Sequence, residues 1–200
     1  MRFFLLFIFI AYQCFANEQQ AFFQEKGYLW IKNFFSEEQV TILNSTANEI
    51  NEIAESILLL KDQGKRLSQS LPGVPIIVAE AQNPLQVCRA EDLLSCFPNL
   101  YHLIEGSVTV FLSQLLNEPY VLFKDKLNFK WPNGGAFPPH QDFPAFEFFG
   151  PREFITAMVC IDEGTLENGC LYIAEDWKKT LQADDHTILP YIVGGSQHGS

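Results

Sequence analysis

A capped amphipathic helix that begins after Ser36 is the feature that most constrains how this chain can fold. Ser36 and Gln39 have the spacing of a capping box, in which each side chain bonds the backbone N–H of the other residue. Apolar residues then recur at alternating three- and four-residue steps, at Val40, Leu43, Ala47, Ile50, Ala54 and Ile57. This period predicts one long helix with a single apolar face.

Shorter patterns complete the first half of the chain. Residues 18–26 predict a short helix that Gly27 ends, and residues 91–117 predict two further helical segments. Brief apolar strands are predicted at residues 28–31 and 75–79. The first half is therefore expected to be mainly helical.

The second half has the pattern of strands. Alternation over residues 120–131 places Leu127, Phe129 and Trp131 on one face, and Gly134 and Gly135 break that strand. Extended or β structure is then predicted in three stretches, at 137–142, 153–161 and 169–174, with a turn at 167–169. Helices followed by antiparallel strands predict an α+β domain whose sheet curls into a jelly-roll-like sandwich.

The composition is that of one globular domain without nucleic-acid-binding character. Two hundred residues suit a single core, and 48% hydrophobic with 18% charged residues are typical of folded chains. The formal net charge is −11, and no long basic run occurs. Binding to a phosphate backbone depends on clustered Lys and Arg, so we expect no nucleic-acid partner. The oligomeric state stays open.

Residues 1–16 are typical of a secretory signal peptide. Arg2 gives a positive start, an apolar run follows over 3–12, and Cys14 and Ala16 are small residues at the cleavage positions. The run is shorter than the roughly 20 residues of a membrane span, so we expect no stable span once the leader is removed. An uncleaved N-terminal anchor is the alternative. The protein would be secreted or periplasmic if cleavage occurs, and cytoplasmic or membrane-associated otherwise.

Residues 17–200 form the expected folded domain. Four cysteines remain after the leader, Cys88, Cys96, Cys160 and Cys170. Export would permit disulfides among them, and their pairing stays open.

His140 and Asp142 are the candidate metal ligands. On an extended segment two residues apart, their side chains point to the same side and can share one ion. Two histidines and one carboxylate form the facial ligand set of non-haem iron(II) oxygenases. The spacing alone also fits a surface histidine beside a solvated aspartate, so a third ligand must be sought elsewhere.

The surroundings of this pair resemble the phytanoyl-CoA dioxygenase family. The resemblance is carried by AFFQEKGYLWIKNFFSEEQV, by the run from Asn128 to Asp142, and by residues 156–162 and 167–171. It covers most of residues 18–200. It implies a double-stranded β-helix, a jelly-roll and cupin-like core with N-terminal helices. It also implies a dioxygenase that uses Fe(II), O2 and 2-oxoglutarate to hydroxylate a small organic substrate.

Five positions take a role from this resemblance. His140 and Asp142 match the first two iron ligands. Asn128, Phe137 and Thr156 match positions that lie against the co-substrate in related hydroxylases. Each of these three also has a structural interpretation, as a turn residue, a core residue and an ordinary strand residue respectively.

Two further sets of side chains stay open between function and structure. The first is a set of alternating lysines, Lys124, Lys126 and Lys130. One of them is a candidate carboxylate partner, although alternating lysines usually mark a solvated strand face. The second is a set of aromatic residues beyond the metal pair, Phe143, Phe146, Phe148 and Phe149. They either wall an apolar substrate pocket or pack in the core.

The family pattern is incomplete in this sequence. The family completes its site with a second histidine on a late strand and an arginine that binds the carboxylate of 2-oxoglutarate. Here His186 and His198 are the histidines downstream of the pair, and no arginine follows Arg152. His198, in a His-Gly-Ser sequence, and His186 are candidate third ligands. However, ILPYIVGGSQHGS resembles a loop that precedes the last core strands, which predicts a domain incomplete at its C-terminus.

Two functions are therefore predicted for the chain. One is a 2-oxoglutarate-dependent dioxygenase acting on a small molecule, for which these 200 residues alone would bind iron weakly and would not turn over 2-oxoglutarate. The other is a non-catalytic secreted binding or interaction protein on the same scaffold. A cupin-like metal site with another reaction is a third interpretation, and the substrate stays open.

Overall fold

The fold is that of a computed structural model, which describes residues 18–64, 72–135, 137, 140, 142, 146–150, 154–174 and 188–190. Helix α1 spans residues 18–26, as predicted. It ends at Gly27, whose φ of 79° lies in the left-handed region that glycine adopts without steric cost. The strand predicted at residues 28–31 does not form. There the chain turns back on α1, and the Tyr28 ring packs edge-on against Phe22 at 5.6 Å.

Helix α2 (Glu37–Asp62) forms as the capping box predicts. Ser36 Oγ accepts a hydrogen bond from the Gln39 N–H at 3.3 Å, and Gln39 Oε1 accepts one from the Ser36 N–H at 2.9 Å. The buried residues of the helix are Leu43, Thr46, Ile50, Ala54 and Leu58. They lie at three- and four-residue steps, so α2 presents one continuous apolar face to the core.

A three-stranded antiparallel sheet packs against α2. It contains β1 (Ile76–Ala79), β2 (Val87–Glu91) and β3 (Lys126–Asn128) in the order β1–β2–β3. Ile77, Ala90 and Leu127 are aligned across the three strands, and all three belong to the core that α2 covers. Neighbouring residues on a strand point to opposite faces, so the sheet has a core face and a second face turned away from α2.

Two irregularities shape this sheet. The register shifts between Val78 and Ala79, which leaves Cys88 of β2 as the extra residue of a β-bulge. The strand predicted over 120–131 is a β-strand only at Lys126–Asn128, where it pairs with residues from Glu91 to Arg89, although the Phe129 N–H also donates to the Cys88 carbonyl at 2.9 Å. The predicted facing of Leu127, Phe129 and Trp131 is confirmed, since all three pack against the core.

A continuous helical stretch closes another side of the core. It comprises α3 (Pro98–Leu103), a π-helix (Ile104–Thr109) and α4 (Val110–Leu116). Leu100 and Leu103 are buried in the core, and the stretch ends at Asn117, which has a φ of 54°. The helical segments predicted within 91–117 are thus present, but the first seven residues of that range end β2 and form a turn.

The described residues after 130 contain a second, smaller sheet. A short 3-10 helix (Glu147–Phe149) precedes a two-stranded antiparallel sheet of β4 (Tyr172–Ala174) and β5 (Ile188–Pro190). The predicted turn at 167–169 is present, and Asn168 Oδ1 accepts from the Thr165 N–H at 2.7 Å. Residues 154–160, predicted as strand, pair with no strand in the described parts of the chain, although Val159 and Ile161 pack against the core.

The α+β class predicted from the sequence is confirmed, while the double-stranded β-helix stays a prediction. None of the helices in the described ranges has the length and hydropathy needed to cross a membrane. The predicted leader at 1–16 lies outside the described residues, as do His186 and His198. All four cysteines of the expected domain are free thiols.

Candidate functional site

His140 and Asp142 come together as a pair. His140 Nε2 lies 3.4 Å from Asp142 Oδ1, and the two side chains are 54% and 37% exposed. This separation is longer than a strong N–H···O hydrogen bond of about 2.7–3.2 Å. Two donors that each stand about 2.1 Å from one ion, about 90–110° apart, are separated by about 3.0–3.4 Å. The donor types and their spacing therefore fit a shared divalent metal.

Thr156 joins this pair through the second carboxylate oxygen. Its hydroxyl donates to Asp142 Oδ2 at 3.0 Å. With Oδ2 held in this way, Oδ1 is the oxygen directed to His140. Hydrogen bonds of this kind orient a ligating carboxylate, so Thr156 is placed to orient Asp142, and its predicted contact with the co-substrate stays a prediction.

The described residues contain no third protein ligand for this pair. Among them, no group of three or more His, Cys, Asp or Glu side chains is arranged to hold a metal ion.

Asn128 lies in β3, on the sheet face turned away from α2. Its cross-strand partner is Arg89 of β2, so the two side chains stand side by side on that face. Asn128 Oδ1 is buried and has no hydrogen-bond partner among the described residues. A buried acceptor without a donor costs about 1–3 kcal/mol, and such an atom suits a ligand that brings its own donor.

Arg89 belongs to a charged network beside Asn128. Arg89 Nε donates to Glu91 Oε1 at 2.6 Å, and Lys124 Nζ lies 3.2 Å from Glu91 Oε2. Burial acts to raise the pKa of Glu91, but the hydrogen bonds from Arg89 and Lys124 outweigh it, so this pKa lies below its usual value. The network is net positive and can meet an anion on the same face as Asn128.

Phe137 contacts the side chain of Lys130. The ammonium of Lys130 lies over its ring, 4.5 Å from the centroid, in a cation–π contact. Phe137 is exposed, so its predicted alternative as a core residue is not what the structure has. The three alternating lysines thus differ: Lys124 pairs with Glu91, Lys126 is exposed, and Lys130 covers Phe137.

The aromatic residues beyond the metal pair form a cluster around Phe123. Its ring centroid lies 5.4 Å from Phe146, 5.2 Å from Phe149 and 4.9 Å from Phe154. Phe148 stacks on Phe149 and is exposed. Edge-to-face contacts of this kind stabilise the packing of such rings. Phe143, predicted with this set, lies outside the described residues.

Sequence reasoning missed Arg89 and also Glu80, a buried carboxylate at the end of β1 whose Oε2 accepts a hydrogen bond from the Gly135 N–H. It had sought a cation among the lysines and after Arg152, and β2 was not predicted as a strand. The available signal is the pair of apolar residues Val87 and Ala90 in VCRAE, which the bulge at Cys88 separates by three residues and not by the two of a regular strand. Glu80 gave no signal, since a single acidic residue after a strand is usually solvated.

Comparison with known proteins shows the family to which the chain belongs. A model of the family described as phytanoyl-CoA dioxygenase matches residues 23–175, which include all five predicted site residues. The chain belongs to the phytanoyl-CoA dioxygenase family. The resemblance stated from the sequence is therefore confirmed.

Three curated relatives are named as oxygenases. The chain is 30% identical over 185 residues to a 2-aminoethylphosphonate dioxygenase of an uncultured bacterium, covering 87% of this chain and 63% of the relative. It is 37% identical over 89 residues to a methylphosphonate hydroxylase of Gimesia maris, covering 44% and 34%. It is 27% identical over 154 residues to a probable alpha-ketoglutarate-dependent hypophosphite dioxygenase of Stutzerimonas stutzeri, covering 77% and 50%.

These matches show a family of oxygenases but span only part of each relative. The chain covers between 34% and 63% of the length of these three proteins. No solved structure matches the chain.

Proposed function

We propose that this chain is the iron-binding domain of an Fe(II)- and 2-oxoglutarate-dependent dioxygenase that hydroxylates a small organic substrate. The observation that carries the proposal is the His140–Asp142 pair, with the Asp142 carboxylate held by Thr156, in a member of the phytanoyl-CoA dioxygenase family. The name of one relative, which includes alpha-ketoglutarate, supports the co-substrate. A double-stranded β-helix is the proposed architecture of the complete domain.

Each residue has a proposed task at this site. Neutral His140 offers Nε2 and ionised Asp142 offers Oδ1 to the metal. Thr156 keeps the Asp142 carboxylate in one orientation through Oδ2. Iron bound there would supply activation of O2, coupled to oxidative decarboxylation of 2-oxoglutarate. Of the two oxygen atoms of O2, one enters succinate and the other becomes the new hydroxyl group, with CO2 released.

The sheet face carrying Asn128 and Arg89 is the proposed anion-binding side of the site. Arg89 Nε is used by Glu91, which leaves its terminal amino groups to face an anion. A guanidinium matches the geometry of carboxylate and phosphate-like oxyanions. Asn128 Oδ1, which has no hydrogen-bond partner among the described residues, would accept a hydrogen bond from a donor on the same ligand. The Phe137 ring would border that ligand.

A small phosphonate is the proposed substrate class. The names of the relatives from the uncultured bacterium, Gimesia maris and Stutzerimonas stutzeri all contain a phosphonate or hypophosphite. The tetrahedral oxyanion common to these compounds suits the positive network around Arg89 and Lys124.

Iron binding tests the metal pair directly. We expect the purified chain to bind Fe(II) anaerobically in calorimetry, and His140→Ala and Asp142→Ala to lower the affinity at least tenfold. His102→Ala is the matched control, because His102 is an exposed histidine on α3. If the two ligand variants bind iron as tightly as the parent chain, the metal site is elsewhere or absent, and the non-catalytic binding role is favoured.

Substrate oxidation is tested by product analysis. The chain is incubated with Fe(II), ascorbate, 2-oxoglutarate and air, with methylphosphonate or 2-aminoethylphosphonate compared against acetate or β-alanine. Succinate formation stimulated by the phosphonates alone is the expected result for a competent domain. His186→Ala and His198→Ala then identify whether either histidine completes the site. Iron bound through the pair without succinate would support the expectation that these residues alone lack part of the site.

A further inference from the structure

Glu80 is a buried carboxylate at the end of β1. It is only 9% exposed, and its backbone N–H donates to the Gln86 carbonyl at 2.8 Å. Its Oε2 accepts a hydrogen bond from the Gly135 N–H at 3.3 Å. A buried carboxylate is tolerated when donors compensate its lost hydration, and the Gly135 N–H is one such donor.

Gly134 and Gly135 provide the space that this carboxylate needs. A Cβ on Gly134 would stand 3.0 Å from Glu80 Oε1 and 3.0 Å from the Trp131 carbonyl oxygen. A Cβ on Gly135 would lie 3.5 Å from Glu80 Oε2. A side chain at position 134 would therefore push the turn away from Glu80, and glycine is needed for the close approach of the backbone.

The same turn is held from its other side. Trp131 Nε1 donates to the Val87 carbonyl at 2.7 Å, and the Gly134 N–H closes the turn onto the Trp131 carbonyl at 2.9 Å. The turn is thus fixed to β2 at Trp131 and to the end of β1 at Gly135. Five residues after Gly135 the chain reaches His140.

We propose that Glu80 is a positioning residue for the metal site: its buried carboxylate anchors the Gly134–Gly135 turn, and this anchor fixes the backbone that presents His140 and Asp142 to the metal. The assignment rests on the proposed metal site for its functional consequence. The anchor itself rests only on the contacts between Glu80 and the turn. Glu80 has a role that no sequence pattern singled out, because it lies 55 residues from Gly135 in the chain.

The anchor is tested first without metal. Hydrogen exchange of the Gly135 amide is compared in the full chain and in Glu80→Ala, with circular dichroism to verify that both are folded. Because a hydrogen bond to a carboxylate is lost, we expect exchange at Gly135 to become at least about tenfold faster. Glu80→Gln retains a carbonyl oxygen as acceptor, and we expect it to restore most of the protection.

The functional consequence is tested with Fe(II) alone as the probe. We expect Glu80→Ala to weaken Fe(II) binding about 10- to 100-fold, as is typical when groups that support metal ligands are removed. Glu80→Gln should lie within about threefold of the parent chain. Asp125→Ala is the control, since Asp125 is also a partly buried carboxylate that accepts a backbone hydrogen bond, but from the Leu94 N–H at 2.6 Å and not from the turn.

Gly134→Ala provides an independent variant of the same contact. Its new Cβ meets Glu80, so we expect faster exchange at Gly135 and weaker iron binding in the single variant. In Glu80→Ala/Gly134→Ala the two effects should be less than additive, as for groups in direct contact. Gly106→Ala is the matched control, because a Cβ there meets nothing within 4 Å.

The outcomes separate the two proposals. If the parent chain binds no iron, the proposed function fails, while the exchange measurement still decides whether Glu80 anchors the turn. If exchange at Gly135 is unchanged in a folded Glu80→Ala protein, the anchor is refuted. If exchange accelerates but iron affinity is unchanged, the anchor exists without a positioning role, and the inference is overturned.

Discussion

The three-stranded sheet packed against α2 and the segment that contains His140 and Asp142 differ in how deeply their side chains are buried. Where α2 meets the sheet, Ile50 is 1% exposed and both Ala54 and Ala90 are fully buried. In the later segment, the His140 and Asp142 side chains are 54% and 37% exposed, and Thr156 donates a hydrogen bond to Asp142. The first region gains stability from close packing, whereas the described contacts of His140 and Asp142 are polar.

This difference predicts that stability and metal binding respond to different residues. Packing losses in the first region should unfold the protein without a specific effect on the ligands. Changes to the polar contacts of the second should alter metal affinity while the fold stays intact. Substitutions in each region test this separation.

Truncating Ile50 is expected to have the largest effect. Ile50→Ala removes a fully buried side chain from the face of α2 and should lower the free energy of unfolding by about 2–5 kcal/mol. Urea denaturation followed by circular dichroism measures the change. Leu59→Ala on the same helix is the control, because Leu59 is 52% exposed. Equal losses in the two variants would contradict the placement of the core.

The second-largest effect is expected from removing the Thr156 hydroxyl, and it should appear in the affinity for Fe(II). Thr156→Val keeps the shape of the side chain but cannot donate to Asp142, so we expect Fe(II) affinity to fall about tenfold. The unfolding free energy should change by less than about 0.5 kcal/mol. Thr156→Ser retains the hydroxyl and serves as the control. An equal loss of affinity in the Ser variant would show that the methyl group, and not the hydrogen bond, is what matters.

Replacing Asn128 is expected to raise the stability of the protein and to weaken ligand binding. Asn128→Leu removes the buried acceptor that has no donor, and we expect a gain of about 1 kcal/mol in unfolding free energy. Binding of 2-oxoglutarate to the iron-loaded protein, measured by calorimetry, should weaken. Asn48→Leu, at an exposed position of α2, is the control for added apolar surface. A loss of stability in Asn128→Leu would mean that the acceptor has a partner in solution.

The smallest effect is expected from Glu91, and it depends on pH. Its folded-state pKa lies below the usual value of 4.5, so its ionised form stabilises the fold above that pH. This contribution is lost as the pH falls below 4.5 through the folded-state pKa. Because Arg89 and Lys124 are partly exposed, it should stay below about 1 kcal/mol.

Denaturation of the parent chain and Glu91→Gln between pH 3 and 7 measures this contribution. The difference between the two should be constant near neutral pH and should shrink as the pH falls below 4.5. Glu118→Gln, at an exposed carboxylate, controls for the loss of one negative charge. A difference that grows toward acid would reverse the sign expected of a lowered pKa.

Features set by nearby residues were predictable from the sequence. The start of α2 depends on Ser36 and Gln39, three residues apart, and its buried face follows the helical period. Gly27 ends α1 for an equally local reason. The 3.4 Å approach of His140 Nε2 to Asp142 Oδ1 agrees with the side-by-side placement that the sequence predicted for this pair.

Features set by distant residues were not predictable. The length of β3 depends on how far β2 extends, and β2 itself is irregular because of the bulge at Cys88. The strand expected at residues 28–31 has no partner strand among the described residues, and a local pattern does not reveal whether a partner exists. Thr156 reaches Asp142 across 14 residues, so this hydrogen bond was not visible in either segment alone.

The capping amide of Gln39 has a consequence for how the protein opens. Besides bonding Ser36, its Nε2 donates to Ser107 Oγ of the π-helix at 3.4 Å. The first turn of α2 and the middle of the 98–116 helical stretch therefore share one side chain. Fraying at either place disturbs the other, so the two should open together as one cooperative unit of local unfolding.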